Sequence, residues 1–200
     1  MPRTPVVTRT AGADDIPVLL ALWQELVEVG ARSERAVNPV AATPDIAARL
    51  ADAIARDDCR VVLAFAGDEP AGMAMFHAVR PDPLSDSTVL RMIHVVVAKA
   101  HRRRGVGHAL TAAAVEIADE LHIEHVSVGV YPSLREASRF YARLGFAQVM
   151  VRRVAPVSVL RRRLSGDAAS ARMDDLVRRR TRMRRPLPAQ RLTRQVDPID

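Results

Sequence analysis

The stretch Ile93–Leu110, IHVVVAKAHRRRGVGHAL, gathers more residues able to do chemistry than any other part of the chain. An apolar, β-branched run ends in a basic turn with two glycines. Apolar residues at helical spacing begin directly behind it. A strand, turn and helix in this order can build an anion site from backbone amides. The first N–H groups of a helix have no partner within the helix. The aligned peptide dipoles place partial positive charge at the same end. Gly105 and Gly107 would let a phosphate approach the backbone without a Cβ in the way. Arg102, Arg103 and Arg104 add full charges around it. The spacing is Arg102-x-x-Gly105-x-Gly107. A dinucleotide-binding G-x-G-x-x-G is excluded, because Ala109 and Leu110 follow where a third glycine would stand. A P-loop is excluded as well, since no Gly-Lys-Ser/Thr is present.

The other titratable residues point to fewer reactions. The six histidines show no H-x-x-x-H spacing and Cys59 is the only cysteine, so no metal site is expected. A single cysteine forms no internal disulfide, which fits a cytoplasmic setting. Cys59 itself reads as a small apolar residue opening a buried strand. His94 has a side chain of suitable basicity for proton transfer. Strand alternation, however, points it away from the face of Arg91 and Ile93, so it reads as structural. His77 is a weaker candidate. His101, His122 and His125 read as surface or helix-end groups.

The elements that must position these groups follow from periodicity. Val6–Thr10 is a short strand. Ile16–Val29 is a helix capped by Asp14–Asp15, with Ile16, Leu19, Leu20, Trp23 and Val27 at helical spacing. A second helix is expected over Thr43–Arg56, with Thr43 as N-cap and Pro44 in the first position. Arg60–Ala66 and Ala71–Val79 form a hairpin about Gly67-Asp68-Glu69-Pro70. Thr88–Ala98 is the longest strand, followed by a helix over Val106–Leu121. His125–Val130 is a strand and Ser133–Leu144 a helix stopped by Gly145. Phe146–Val154 and Val157–Leu164 read as two strands around Pro156. Asp167–Arg185 is an amphipathic helix, and 186–200 a polar tail with three prolines. This order predicts an α+β sheet covered by helices.

The element order, the turn His101–Gly107 and the segment Ala137-Ser-Arg-Phe-Tyr141-Ala-Arg-Leu144-Gly145-Phe146 resemble the GCN5-related N-acetyltransferases (the GNAT superfamily). The resemblance covers about Val6 to Leu164. It implies a mixed, mostly antiparallel sheet with splayed central strands and helices on both faces. It also implies acetyl-coenzyme A as cosubstrate. The pantetheine arm would lie along the backbone of Val95, Val96 and Val97. The pyrophosphate would sit on Arg102, Arg103, Arg104, Gly105, Val106, Gly107 and His108. An N–H near Val95 would stabilise the oxyanion. Tyr141 would act as the general acid on the leaving thiolate. The acceptor would be a primary amine, of a small molecule or a protein.

The chain departs from the family pattern at three places. Leu134 stands where many relatives have an asparagine that helps hold the coenzyme. Gly129 stands where some carry a glutamate base. Arg91 and Ile93 stand where others carry Glu or His, and neither is a base at neutral pH. The groove for the acceptor would be shaped by 29–44 and 154–158, and Arg91 reads as a salt-bridge or solvated arginine.

Composition bounds the rest. The chain has 200 residues, 48% of them hydrophobic, enough for one domain of about 1–165 and a basic segment over 166–200. No run of 18 apolar residues crosses a membrane, and the first residues lack the apolar core of a signal peptide. The net charge is +7, and residues 161–200, with 12 Arg and 5 Asp, carry all of it. The domain itself is balanced, which argues against nucleic acid as its main partner. The run VRRRTRMRR, 177–185, supports the alternative: a coenzyme A-binding regulatory or nucleic-acid-associated protein acting through this segment. Relatives are often dimers, so a homodimer stays open.

Overall fold

The computed structural model describes residues 5–33, 45–84 and 86–165 of the chain. Two compact units divide it, Met1–Val151 and Arg152–Asp200.

The first unit is built on a five-stranded sheet whose spatial order is the chain order. Its strands are β1 (Val6–Thr10), β2 (Cys59–Ala66), β3 (Glu69–Val79), β4 (Val89–Val97) and β5 (His125–Val128). The first four pair antiparallel in succession, and β5 joins β4 in parallel. The parallel step follows from the crossover through helix α3 (Val106–Glu120), since parallel neighbours need such a connection. The turn at Gly67, where φ is +65°, lets β2 and β3 meet as a hairpin.

Helices cover both faces. Helix α1 (Ile16–Ser33) and helix α2 (Ile46–Ile54) bury Leu19, Leu22, Trp23 and Leu50 against Cys59, Val61, Leu63, Met73 and Met75. Helix α3 covers the other face with Val106, Leu110, Ala113, Ala114, Ile117 and Ala118, against Val62, Ala74, Phe76, Leu90 and Met92. Both faces are thus occupied, which is why β2 and β3 read as continuous apolar runs rather than alternating ones. The alanines of α3 let its axis come close to the sheet. A fourth helix, α4 (Arg135–Arg143), ends at Gly145, whose φ of +91° provides the left-handed stop expected from the sequence.

Three expectations are corrected. Helix α2 begins at Ile46, with Asp45 at its N-cap in a left-handed conformation, φ +58°. Thr43 and Pro44 lie outside the described residues. Second, 146–154 forms no strand, and 157–165 is helical. Pro156 starts that turn, its carbonyl accepting from the N–H of Val159 and Leu160. Proline suits the first helical turn, and Val157, Leu160 and Leu164 stand at helical spacing that outweighs their β-propensity. Third, His101 is buried rather than at the surface, 6% exposed. A 3-10 turn (Lys99–His101) folds it inward, where its Nε2 lies 3.3 Å from Glu69. The helix expected over Asp167–Arg185 lies outside the described residues.

Candidate active site

Strand β4 and strand β5 pair only from Val89↔His125 to Met92↔Val128. Beyond Met92, β4 runs on to Val97, held by β3 alone. The sheet therefore opens between β4 and β5 at Ile93. On the β4 side of this opening stand Val95, Val96 and Val97. On the β5 side the chain continues through Gly129, around which a Cβ would meet nothing within 4 Å.

A β-bulge accompanies the opening. Met75 faces Ile93 and Met73 faces Val96, so two steps along β3 face three steps along β4. Regular alternation would put Ile93 and Val96 on opposite faces. Here both lie with the α1 and α2 core, while Val95 and Val97 pack toward α3. The extra residue is absorbed at His94, whose φ is +50°. A bulge breaks the alternation rule locally, so the parity argument that turned His94 away from Ile93 does not hold. Its ring lies edge-on to Trp23 of α1, centroids 4.9 Å apart. Burial lowers its pKa, and the charge of His77 lowers it further. His77 is half-buried on β3, across from Cys59 on β2 and Arg91 on β4.

After β4 the chain turns through Arg102–Gly105 into α3. Arg103 and Gly105 have φ of +61° and +93°. Left-handed residues at such a turn aim successive N–H groups into one concavity. The first intrahelical bond runs from the Ala109 N–H to the Gly105 carbonyl at 3.0 Å. The amides of Val106, Gly107 and His108 precede it and are the helix's own unpaired donors. Arg102, Arg103 and Arg104 are exposed, and Arg103 leans 3.6 Å from Glu136 of α4. These residues fit a diphosphate by donor type and charge.

Gly107 has a role that sequence spacing missed. A Cβ there would sit 3.2 Å from the Phe140 ring. Its hydrogen therefore admits α4 against the start of α3, in addition to leaving the backbone open. Gly72 was not singled out either, yet a Cβ there would lie 2.5 Å from the Val96 carbonyl oxygen and 2.8 Å from Val106. It lets β3 pass beneath the point where β4 and α3 meet. A lone glycine inside a strand is the signal that could have found it.

Tyr141 is 8% exposed, in an edge-to-face series with Phe140 (5.0 Å) and Phe146 (5.3 Å). Phe140 in turn meets His108 at 5.0 Å, so the series ends at the start of α3. Burial pushes the Tyr141 phenol up to about 12. Leu134 is the N-cap of α4 and makes no side-chain cap. An open concavity of about 400 Å³ lies elsewhere, lined by Pro17, Val18, Ala21, Leu22, Glu25, Pro70 and Ala98, and holds none of these candidates. Among the described residues no group of three or more His, Cys, Asp or Glu could hold a metal ion. No helix among them is long and apolar enough to cross a membrane.

Comparison with known proteins agrees with this fold. Residues 23–146 match the model of the acetyltransferase (GNAT) family. No curated protein matches the chain. Among solved structures, a tetramutant of the BH1408 protein from Bacillus halodurans superposes with a TM-score of 0.65 at 17% identity, covering 75% of this chain and 99% of that one. A transcriptional regulator from Bacillus halodurans C-125 gives 0.63 at 22% identity, covering 76% and 99%. The structure of AAC(6')-Iy in complex with the bisubstrate analogue CoA-S-monomethyl-acetylneamine gives 0.60 at 16% identity, covering 76% and 99%. With the family model spanning more than half of its length, the chain belongs to the acetyltransferase (GNAT) family of acyltransferases.

Proposed function

We propose that the protein transfers an acetyl group from acetyl-coenzyme A to a primary amine by direct attack with both substrates bound. The observation that carries this reading is the opening of β4 from β5 after Met92↔Val128, followed at once by the unpaired amides at the start of α3. The backbone of Val95, Val96 and Val97 would hold the pantetheine arm as a further strand does. The amides from Arg103 to His108, with Arg102, Arg103 and Arg104 around them, would hold the pyrophosphate. The coenzyme supplies the activated acetyl group as a thioester. An N–H at Val95 would carry the charge developing on the carbonyl oxygen, and holding both reactants together supplies much of the rate.

Tyr141 would act on the sulfur. With its phenol near 12, full transfer to a thiolate of ordinary basicity is uphill by roughly 5 kcal/mol. Its contribution is therefore a hydrogen bond that strengthens as charge builds on the sulfur while the C–S bond breaks. Leu134 has no side-chain amide to hold the coenzyme, which places more of the coenzyme's binding on backbone.

The test is thiol release from acetyl-coenzyme A across a panel of alkylamines, polyamines, amino sugars and peptides with free amino groups. Amine-dependent release with an acetylated product is expected. Release that no amine accelerates would overturn the proposal.

A further inference from the structure

The amine that attacks must lose a proton, and the positions where relatives place a base hold Gly129, Arg91 and Ile93 here. We propose that His94 is the base, accepting the proton of the acceptor amine on the α1 side of the opened sheet. This rests on the acetyl-transfer reading above.

Four observations carry it. His94 occupies the first stretch of β4 beyond its last pair with β5, one residue before Val95, so it borders the opening itself. Its φ of +50° is a conformation that histidine adopts uncommonly. The bulge puts the ring on the face of Trp23 and Ile93, where regular pleating would have turned it to α3. The ring is only partly buried. Tyr141, by contrast, joins the start of α3 through Phe140. In this proposal His94 would meet the amine from the α1 side, and Tyr141 would meet the sulfur from the side of the α3 start.

The titratable neighbour acting on His94 is His77 of β3, and Trp23 of α1 is the uncharged group against its ring. Burial and His77 both favour the neutral ring, which is the form able to accept a proton. In the step, the amine nitrogen bonds to the carbonyl carbon and the C–S bond breaks. The amine proton passes to a His94 ring nitrogen, while the departing thiolate accepts a hydrogen bond from the Tyr141 hydroxyl. The proton on His94 reaches the thiolate through water, so the products are the amide and the free thiol.

The test uses the full chain and the amine turned over fastest in the panel above. His94→Asn keeps a residue that tolerates a positive φ and removes the base. It is expected to lower kcat by about 100-fold or more, with acetyl-coenzyme A affinity unchanged. The acidic limb of the wild-type kcat profile should disappear with it. His94→Gly should regain activity on addition of imidazole, which a purely structural role would not produce. Retention of wild-type kcat and acidic limb in His94→Asn overturns the proposal while leaving acetyl transfer standing. A panel in which no amine is turned over overturns both.

Discussion

At the residue scale, Asp15 shows how a charge is put to structural use. Its carboxylate accepts from both terminal nitrogens of Arg9 at 2.7 Å and from the Gly12 N–H at 2.8 Å. These bonds tie β1 to the start of α1 and lower its pKa to about 2, the Arg9 bond contributing most. Since the folded value lies below the unfolded one, the stabilisation is present above about pH 4 and fades as pH falls toward about 2. Asp15→Asn should cost about 1 kcal/mol near neutrality, discounted for the half-exposed arginine. Urea unfolding at about pH 7 and pH 2.5 should show that difference shrinking in acid. Gly72→Ala should cost more, roughly 2–3 kcal/mol, because the added carbon would meet the Val96 backbone at 2.5 Å. Thermal unfolding would reveal it as a clear drop in Tm. Tyr141→Phe should keep the fold, since the ring series survives, and lower kcat by about 10-fold to 100-fold. With the phenol near 12, no loss of kcat from its ionisation is expected below about pH 10.

At the element scale, the turn into α3 carries two glycines with different duties. Gly105 has φ +93° and open space around it, so its demand is conformational. Gly107 has ordinary backbone and a crowded neighbour, so its demand is steric. Gly105→Ala should lose about 1 kcal/mol of stability and weaken acetyl-coenzyme A binding, as calorimetry would record. Gly107→Ala should instead displace Phe140 and be felt at Tyr141, as a change in kcat larger than that in coenzyme affinity. The strands, helices and turn from Val6 to Gly145 were readable because each carries its own period and punctuation: the hairpin at Gly67, the stripe of α3, the stop at Gly145. The bulge was not readable. Ile93, His94 and Val95 are all compatible with a plain strand, and only the pairing of Met73 and Met75 with Val96 and Ile93 reveals the added residue. The valines after Phe146 misled for the converse reason. Val149 and Val151 favour a strand, yet at 97% and 65% exposure they have no neighbouring strand to pack with.

At the scale of the whole molecule, charge and fold are separable. The excess of +7 lies in residues 161–200, which follow the strands of the sheet in the sequence. The family match ends at residue 146, before that segment. Removing 166–200 should therefore leave acetyl-coenzyme A affinity within about twofold. If the arginine run serves a nucleic acid, the same truncation should abolish a steeply salt-dependent binding to DNA. The proposed donor site was legible because it is written into a contiguous turn and helix start. The proposed base was not, because Trp23 of α1, His77 of β3 and His94 of β4 come together only when the sheet forms. The position of the coenzyme decides between these outcomes. Backbone amide resonances followed during titration with coenzyme A give the most direct answer. Saturable shifts confined to Val95–Val97, Arg103–His108 and the neighbouring end of β5 are predicted. Shifts centred instead on Pro17, Leu22 and Pro70, or none at all, would contradict it.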